Sequence, residues 1–165
     1  MPRRRQSLEP GHRRKFLVVV DQSAECDRAV YFAARRAART EGGLVLLGVI
    51  DLEDAGSQWL GVAELMRAEA ADAAQARLDH YTARARSVAG VEAEGVLRAG
   101  GLAGEVAGLI EHDPDIAVLV LANGAGDEGP GPLLAALAGG LWLRLPVPIT
   151  IVPGTLSDAE LEALS

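Results

Sequence analysis

Four short stretches of this sequence combine side chains and spacing that could hold a ligand. These are Asp21-Gln22-Ser23, Asp51, Arg98–Gly101 and Asn123–Gly131. In the last of them, Gly124, Gly126, Gly129 and Gly131 make a loop whose backbone N–H groups could approach a phosphate, and an adjoining helix start would favour the anion. Asp127 and Glu128 in the same loop oppose phosphate by repulsion, so a surface loop and a phosphate site both stay open. Asp21 carries two readings as well: turn chemistry beside a helix-capping Ser23, or a ligand contact. Asp51, Glu53 and Asp54 read as solvated loop, since no histidine or second carboxylate cluster is fixed near them. Cys26 falls in the first turn of a helix, where the dipole lowers a thiol pKa and Glu25 and Asp27 raise it; its reading is structural. His12, His80 and His112 have neither metal-ligand spacing nor a nucleophile beside them.

The elements that position these loops alternate. Strands are expected at Phe16–Val20, Leu44–Ile50, Val91–Leu97, Ile116–Leu121 and Pro148–Val152. The first, second and fourth are nearly continuous aliphatic runs, which implies burial on both faces and therefore a parallel sheet covered by helices on each side. Between them, Ser23 is placed to cap a helix running to about Thr40 before Gly42-Gly43. A second helix runs from about Leu60 to Val88. A third, Leu102–His112, stops at Asp113-Pro114 with His112 at the negative end of its dipole. A fourth covers Leu133–Leu145. Ser157 and Glu160 have capping-box spacing, and Leu156 and Leu161 occupy the positions of a hydrophobic staple, so Thr155–Ser165 is expected to be a short amphipathic helix.

Composition narrows the function classes. With 165 residues, 49% hydrophobic and 24% charged, the chain fits one domain. Its apolar runs fall short of the ~20 residues of a membrane span. The single cysteine excludes a disulfide framework or a multi-cysteine metal site and favours a cytoplasmic setting. The net charge of −7 divides into +5 over residues 1–15 and −12 over the rest, so the body is a poor nucleic-acid binder. Arg13-Arg14-Lys15-Phe16-Leu17 resembles a twin-arginine export signature. The five apolar residues Phe16–Val20, however, are shorter than the ~7–15 of a signal core. Residues 1–14 are therefore expected to be a basic, disordered extension.

Several segments together carry a resemblance: Phe16-Leu17-Val18-Val19-Val20-Asp21 followed by Ser23, Leu46-Leu47-Gly48-Val49-Ile50-Asp51, Arg98-Ala99-Gly100, Val118-Leu119-Val120-Leu121, and Val147-Pro148-Ile149-Thr150-Ile151-Val152-Pro153. In this order and spacing the chain resembles the universal stress protein family over residues 15–154, with Thr155–Ser165 following as the terminal helix. The resemblance implies a single doubly wound, Rossmann-like α/β domain with a five-stranded parallel sheet in the order 3-2-1-4-5. It also implies a homodimer paired through the Pro148–Val152 edge strand. The family's ATP-binding branch carries G-x2-G-x9-G-[ST] after the fourth strand. Gly126, Gly129 and Gly139 match that count, but Gly140 stands where the hydroxyl belongs. Anchoring on Pro148 instead places Ala122, Ala125, Ala135 and Ala136 at the motif positions. Asp21 and Val49 keep the adenine-side positions, and Gly124 and Gly126 remain as backbone donors.

The expectation is a non-enzymatic stress-response protein that binds ATP weakly or not at all and acts through protein partners. The alternative is an ATP- or AMP-binding regulator with weak ATPase activity. No metal is implied. A phospho-receiver would need an aspartate after the third strand and a lysine after the fifth, but Arg98-Ala99-Gly100 stands at the former and Lys15 is the chain's only lysine. A pyrophosphatase-type enzyme would need S-G-G-x-D-S in place of Asp21–Cys26.

Overall fold

The computed structural model describes residues 4–51, 60–124 and 131–165. The chain runs β1 (Lys15–Val20), α1 (Cys26–Arg39), β2 (Gly43–Ile50), α2 (Leu60–Ala89), β3 (Glu94–Ala99), α3 (Leu102–His112), β4 (Ile116–Asn123), α4 (Pro132–Ala138), a 3-10 turn (Leu141–Arg144), β5 (Ile149–Pro153) and α5 (Asp158–Leu164). The strands form one sheet ordered β3-β2-β1-β4-β5, and every adjacent pair is parallel. This is the expected doubly wound α/β architecture.

The continuous aliphatic runs divide by period two. Phe16, Val18 and Val20 of β1 join Leu44 and Leu46 of β2 in a core with α1, α2 and α5. Leu17 and Val19 join Val45 and Leu47 in a second core with α3 and α4. Two apolar faces on one strand require a helical layer over each.

Local departures from expectation have local causes. The third strand begins at Glu94 rather than Val91: Gly90, at φ +66°, turns the chain out of α2, and pairing starts only at Val45–Glu94. Val91 and Ala93 pack on the core from the connection. The fourth helix stops at Ala138, because Gly139 and Gly140, the latter at φ +108°, break it ahead of the 3-10 turn. Ser23 does not cap α1. The helix starts at Cys26 after Glu25, and the Ser23 hydroxyl donates to Asp21 Oδ1. The β4 strand extends to Asn123 and β5 is Ile149–Pro153, a one-residue shift. The Ser157–Glu160 capping box forms as expected, with Leu161 fully buried under it and Leu156 against the same core.

Within the basic extension, Arg5 Nη1 donates to the carbonyls of Ile110 (2.6 Å), Asp113 (3.1 Å) and Ile116 (3.3 Å). The Gln6 N–H donates to Pro114 O at 2.9 Å. These bonds fasten residues 5 and 6 to the α3–β4 corner.

Charged side chains hold α5 on α1 and α2. Asp27 accepts from Arg28 and from Arg84 at 2.9 Å, and Arg28 also reaches Asp158 at 2.7 Å. Both guanidinium groups lie over the Tyr31 ring, 5.6 and 5.5 Å from its centroid. Arg39 donates to the Ser165 carbonyl. Burial raises the Asp27 carboxyl pKa, and the hydrogen bonds from Arg84 and Arg28 outweigh it and hold the group below its ordinary range. A carboxyl depressed on folding adds stability above its unfolded pKa of about 4, and that stability is lost as pH falls through the folded value. Unfolding free energy is therefore expected to drop as pH falls below about 4, and less steeply in Asp27→Asn. Denaturant titrations with equal acid limbs in the two proteins would contradict this.

Candidate functional site

In the order β3-β2-β1-β4-β5, chain direction across the sheet reverses beside β1, and ligands bind beyond the carboxyl ends of the strands at such a point. A cleft of about 530 Å³ lies there, within the range of small-molecule sites. Val20 and Asp21 leave β1 into it, Val49 and Asp51 enter from the end of β2, and Pro132 and Leu133 close it from the start of α4.

Asp21 is oriented by its own turn. Its Oδ1 accepts from the Ser23 N–H at 2.9 Å and from the Ser23 hydroxyl at 2.5 Å, which is the turn chemistry expected of Asp21. One oxygen shapes the turn, and the carboxylate lines the cleft.

The wall contributed by α2 was absent from the sequence reading. Ala70, Ala73, Ala74 and Arg77 line the cleft at the spacing i, i+3, i+4, i+7, which puts them on one helical face. Three methyl groups leave the space that longer side chains would fill. The spacing is visible in the sequence, but only the position of α2 over the end of β2 shows which cavity it faces.

Beside this cleft, between the starts of α1 and α4, is a recess of about 20 Å³ lined by Ser23, Cys26 and Gly131 among others. That is room for about one water. Burial pushes the Cys26 thiol up to about 12, and its Sγ–H faces Val19 O at 3.8 Å. The thiol stays protonated at neutral pH, which agrees with its structural reading.

The other residues singled out by sequence fall in different places. Asp21 and Val49 share the cleft. Gly124 follows the last residue of β4 and is not among the residues lining the cleft. Ala135 and Ala136 are the fourth and fifth residues of α4, and neither lines the cleft; Ala136 packs on the α3–α4 core. Gly126, Ala125, Asp127, Glu128 and Gly129 lie outside the described residues, as do Glu53 and Asp54. At the helix start stand Gly131, at φ +92°, and Pro132, which has no N–H to offer an anion. Among the described residues no group of three His, Cys, Asp or Glu could hold a metal, and no helix is long and apolar enough to cross a membrane.

Comparison with known proteins follows from this geometry. The model of a family described as the universal stress protein family matches residues 12–153. Solved structures share the fold. The universal stress protein UspA from Lactobacillus plantarum is 17% identical with a TM-score of 0.71, over 84% of this chain and 97% of that one. A universal stress protein in complex with cAMP is 20% identical with a TM-score of 0.60, over 86% and 98%. The universal stress protein from Archaeoglobus fulgidus in complex with dAMP is 15% identical with a TM-score of 0.57, over 84% and 97%. No curated protein matches the chain.

Proposed function

The chain belongs to the universal stress protein family, and from that premise we propose that it is a non-catalytic stress-response binding protein of the cytoplasm. It works as a homodimer through contacts with other proteins, and it binds ATP weakly or not at all. One observation carries this reading: the cleft keeps Asp21 and Val49 while α4 begins on Gly131-Pro132, without a hydroxyl or an N–H at residue 132. A nucleoside has walls to lie against. Among the described residues at the start of α4, Pro132 brings neither a hydroxyl nor an N–H to offset the removal of a triphosphate from water.

The second reading, a nucleotide-binding regulator with weak ATPase activity, draws on the solved relatives in complex with cAMP and dAMP. Nucleotide release separates the two. Protein purified without added nucleotide is denatured and the supernatant chromatographed. The proposal expects no stoichiometric ATP, and one ATP per chain would overturn it.

Dimerisation is proposed through β5, the sheet edge, on which Ile151 is half exposed. Strand pairing at an edge needs an uninterrupted ladder with apolar side chains beside it. Ile151→Asp is expected to shift the protein toward monomer, by tenfold or more in dissociation constant at roughly 1.4 kcal/mol per decade. Light scattering that finds the unmodified protein monomeric would contradict the dimer.

A further inference from the structure

We infer that β3, the sheet edge opposite β5, is a second self-association surface, where two copies of this chain pair antiparallel about a twofold axis at Val96. Among the described residues no strand pairs on its outer side, and Glu94, Gly95, Arg98 and Ala99 are exposed along it. The surface is separate from the cleft and from the β5 contact proposed above.

One hydrogen bond fixes which backbone groups of β3 face outward. The Gly100 N–H donates to Ile50 O at 2.9 Å, and direction alternates along a strand, so Arg98, Val96 and Glu94 also turn their N–H and C=O groups toward β2. Those of Gly95 and Leu97 point away from the sheet. In an antiparallel pair, residues that present such groups to each other exchange both bonds, and the residues between them form the closer, non-hydrogen-bonded pairs. With Gly95 set against Leu97 of a second copy, Val96 falls opposite Val96 and Glu94 falls opposite Arg98.

The side chains select this register. Glu94, Val96 and Arg98 share one face by period two, the face on which Val96 packs against the core under α3. Cα atoms of non-hydrogen-bonded pairs approach to about 4.5 Å, so a carboxylate meets a guanidinium at each end of the contact, with a valine pair between them. On the other face Leu97 leans inward over Gly48 beside Leu78 of α2, and across the strands it meets a glycine. Sliding one copy by two residues sets Val96 opposite a charged side chain and breaks the ion pairs. Lys15 Nζ reaches Glu94 Oε2 at 3.2 Å, and a carboxylate accepts from two donors at once. Charges of one sign on an edge repel a second copy. Here the signs are opposite, and the twofold brings each to its complement.

Two six-residue strands make a small contact, expected to hold at roughly 0.1–1 mM protein. The test is sedimentation equilibrium over that range in the unmodified chain and in Ile151→Asp, which separates this edge from β5. Ile151→Asp is expected to pass from monomer to dimer as concentration rises, less readily at high salt. Added to it singly, Glu94→Arg or Arg98→Glu sets like charges opposite each other at both ends and weakens the pairing about tenfold or more. An equal mixture of the two charge variants restores it, because each then meets the opposite sign, and so does the double swap in one chain. Thermal melting checks the variants, and Arg98→Glu, which leaves the Lys15–Glu94 contact in place, carries the comparison if Glu94→Arg is unstable. An Ile151→Asp chain that stays monomeric throughout, beside an unmodified dimer, overturns the inference and leaves the β5 reading standing. Dimers that the charge variants do not weaken, or that mixing does not restore, place the contact elsewhere and also overturn it. An unmodified chain that is monomeric throughout overturns both.

Discussion

Ala73→Trp is expected to weaken binding of adenosine or AMP at least tenfold while leaving the fold in place. Residue 73 is exposed to the cleft on the α2 face, so an indole there fills space that a nucleoside in the cleft would need. The substitution touches no buried partner. Its cost to folding is the difference in helix propensity between alanine and tryptophan, about 0.5 kcal/mol. Titration and thermal melting on the same preparation separate the two effects. Unchanged affinity would place the ligand away from α2, and a collapsed melting temperature would show that Ala73 serves the core.

Leu46→Ala should do the opposite. Leu46 sits in β2 with no exposed surface and packs in the core shared with α1 and α2. Removing its isobutyl group forfeits the burial and leaves a cavity, at about 2–5 kcal/mol. Against a total stability of roughly 5–15 kcal/mol, that is a large fraction. For a domain of this size it lowers the melting temperature by roughly 5–20 °C. Denaturant unfolding of both proteins measures it, and a loss under about 1 kcal/mol would mean that the core collapses into the gap.

The contrast between these positions shows where the sequence was informative. Phe16–Val20 is apolar at every residue because helices cover both sides of β1, so parallel pairing could be read from the run itself. The capping box at Ser157 and Glu160 could likewise be read, since its hydrogen bonds close within four residues. Edges and breaks were harder. The β3 strand lies at the sheet edge and is only partly buried, so its apolar signal spreads into Val91 and Ala93, which serve the core from the connection. The Gly139-Gly140 pair was visible in the sequence, but the leucines on either side maintain a helical pattern across it.

Less of the cleft was legible than of the fold. Asp21 and Val49 could be placed because they lie at the carboxyl ends of β1 and β2, in segments that carried the family resemblance. Arg77 could not, because one of four arginines on a 30-residue helix has no address until the crossing of α2 over the sheet is known. The positions after β4 depended on counting through a long connection from Pro148. That count put Ala135 and Ala136 at the motif positions, whereas α4 begins at Pro132, three residues before Ala135. A count across a loop carries no restraint on where the next helix starts.

The central claim is that the nucleoside part of the cleft persists without a grip for a triphosphate. Its most direct test is the ratio of dissociation constants for ATP and AMP, measured by calorimetry on the unmodified, nucleotide-free protein. The account predicts that ATP binds no more tightly than AMP. Stoichiometric ATP binding at least tenfold tighter than AMP would contradict it.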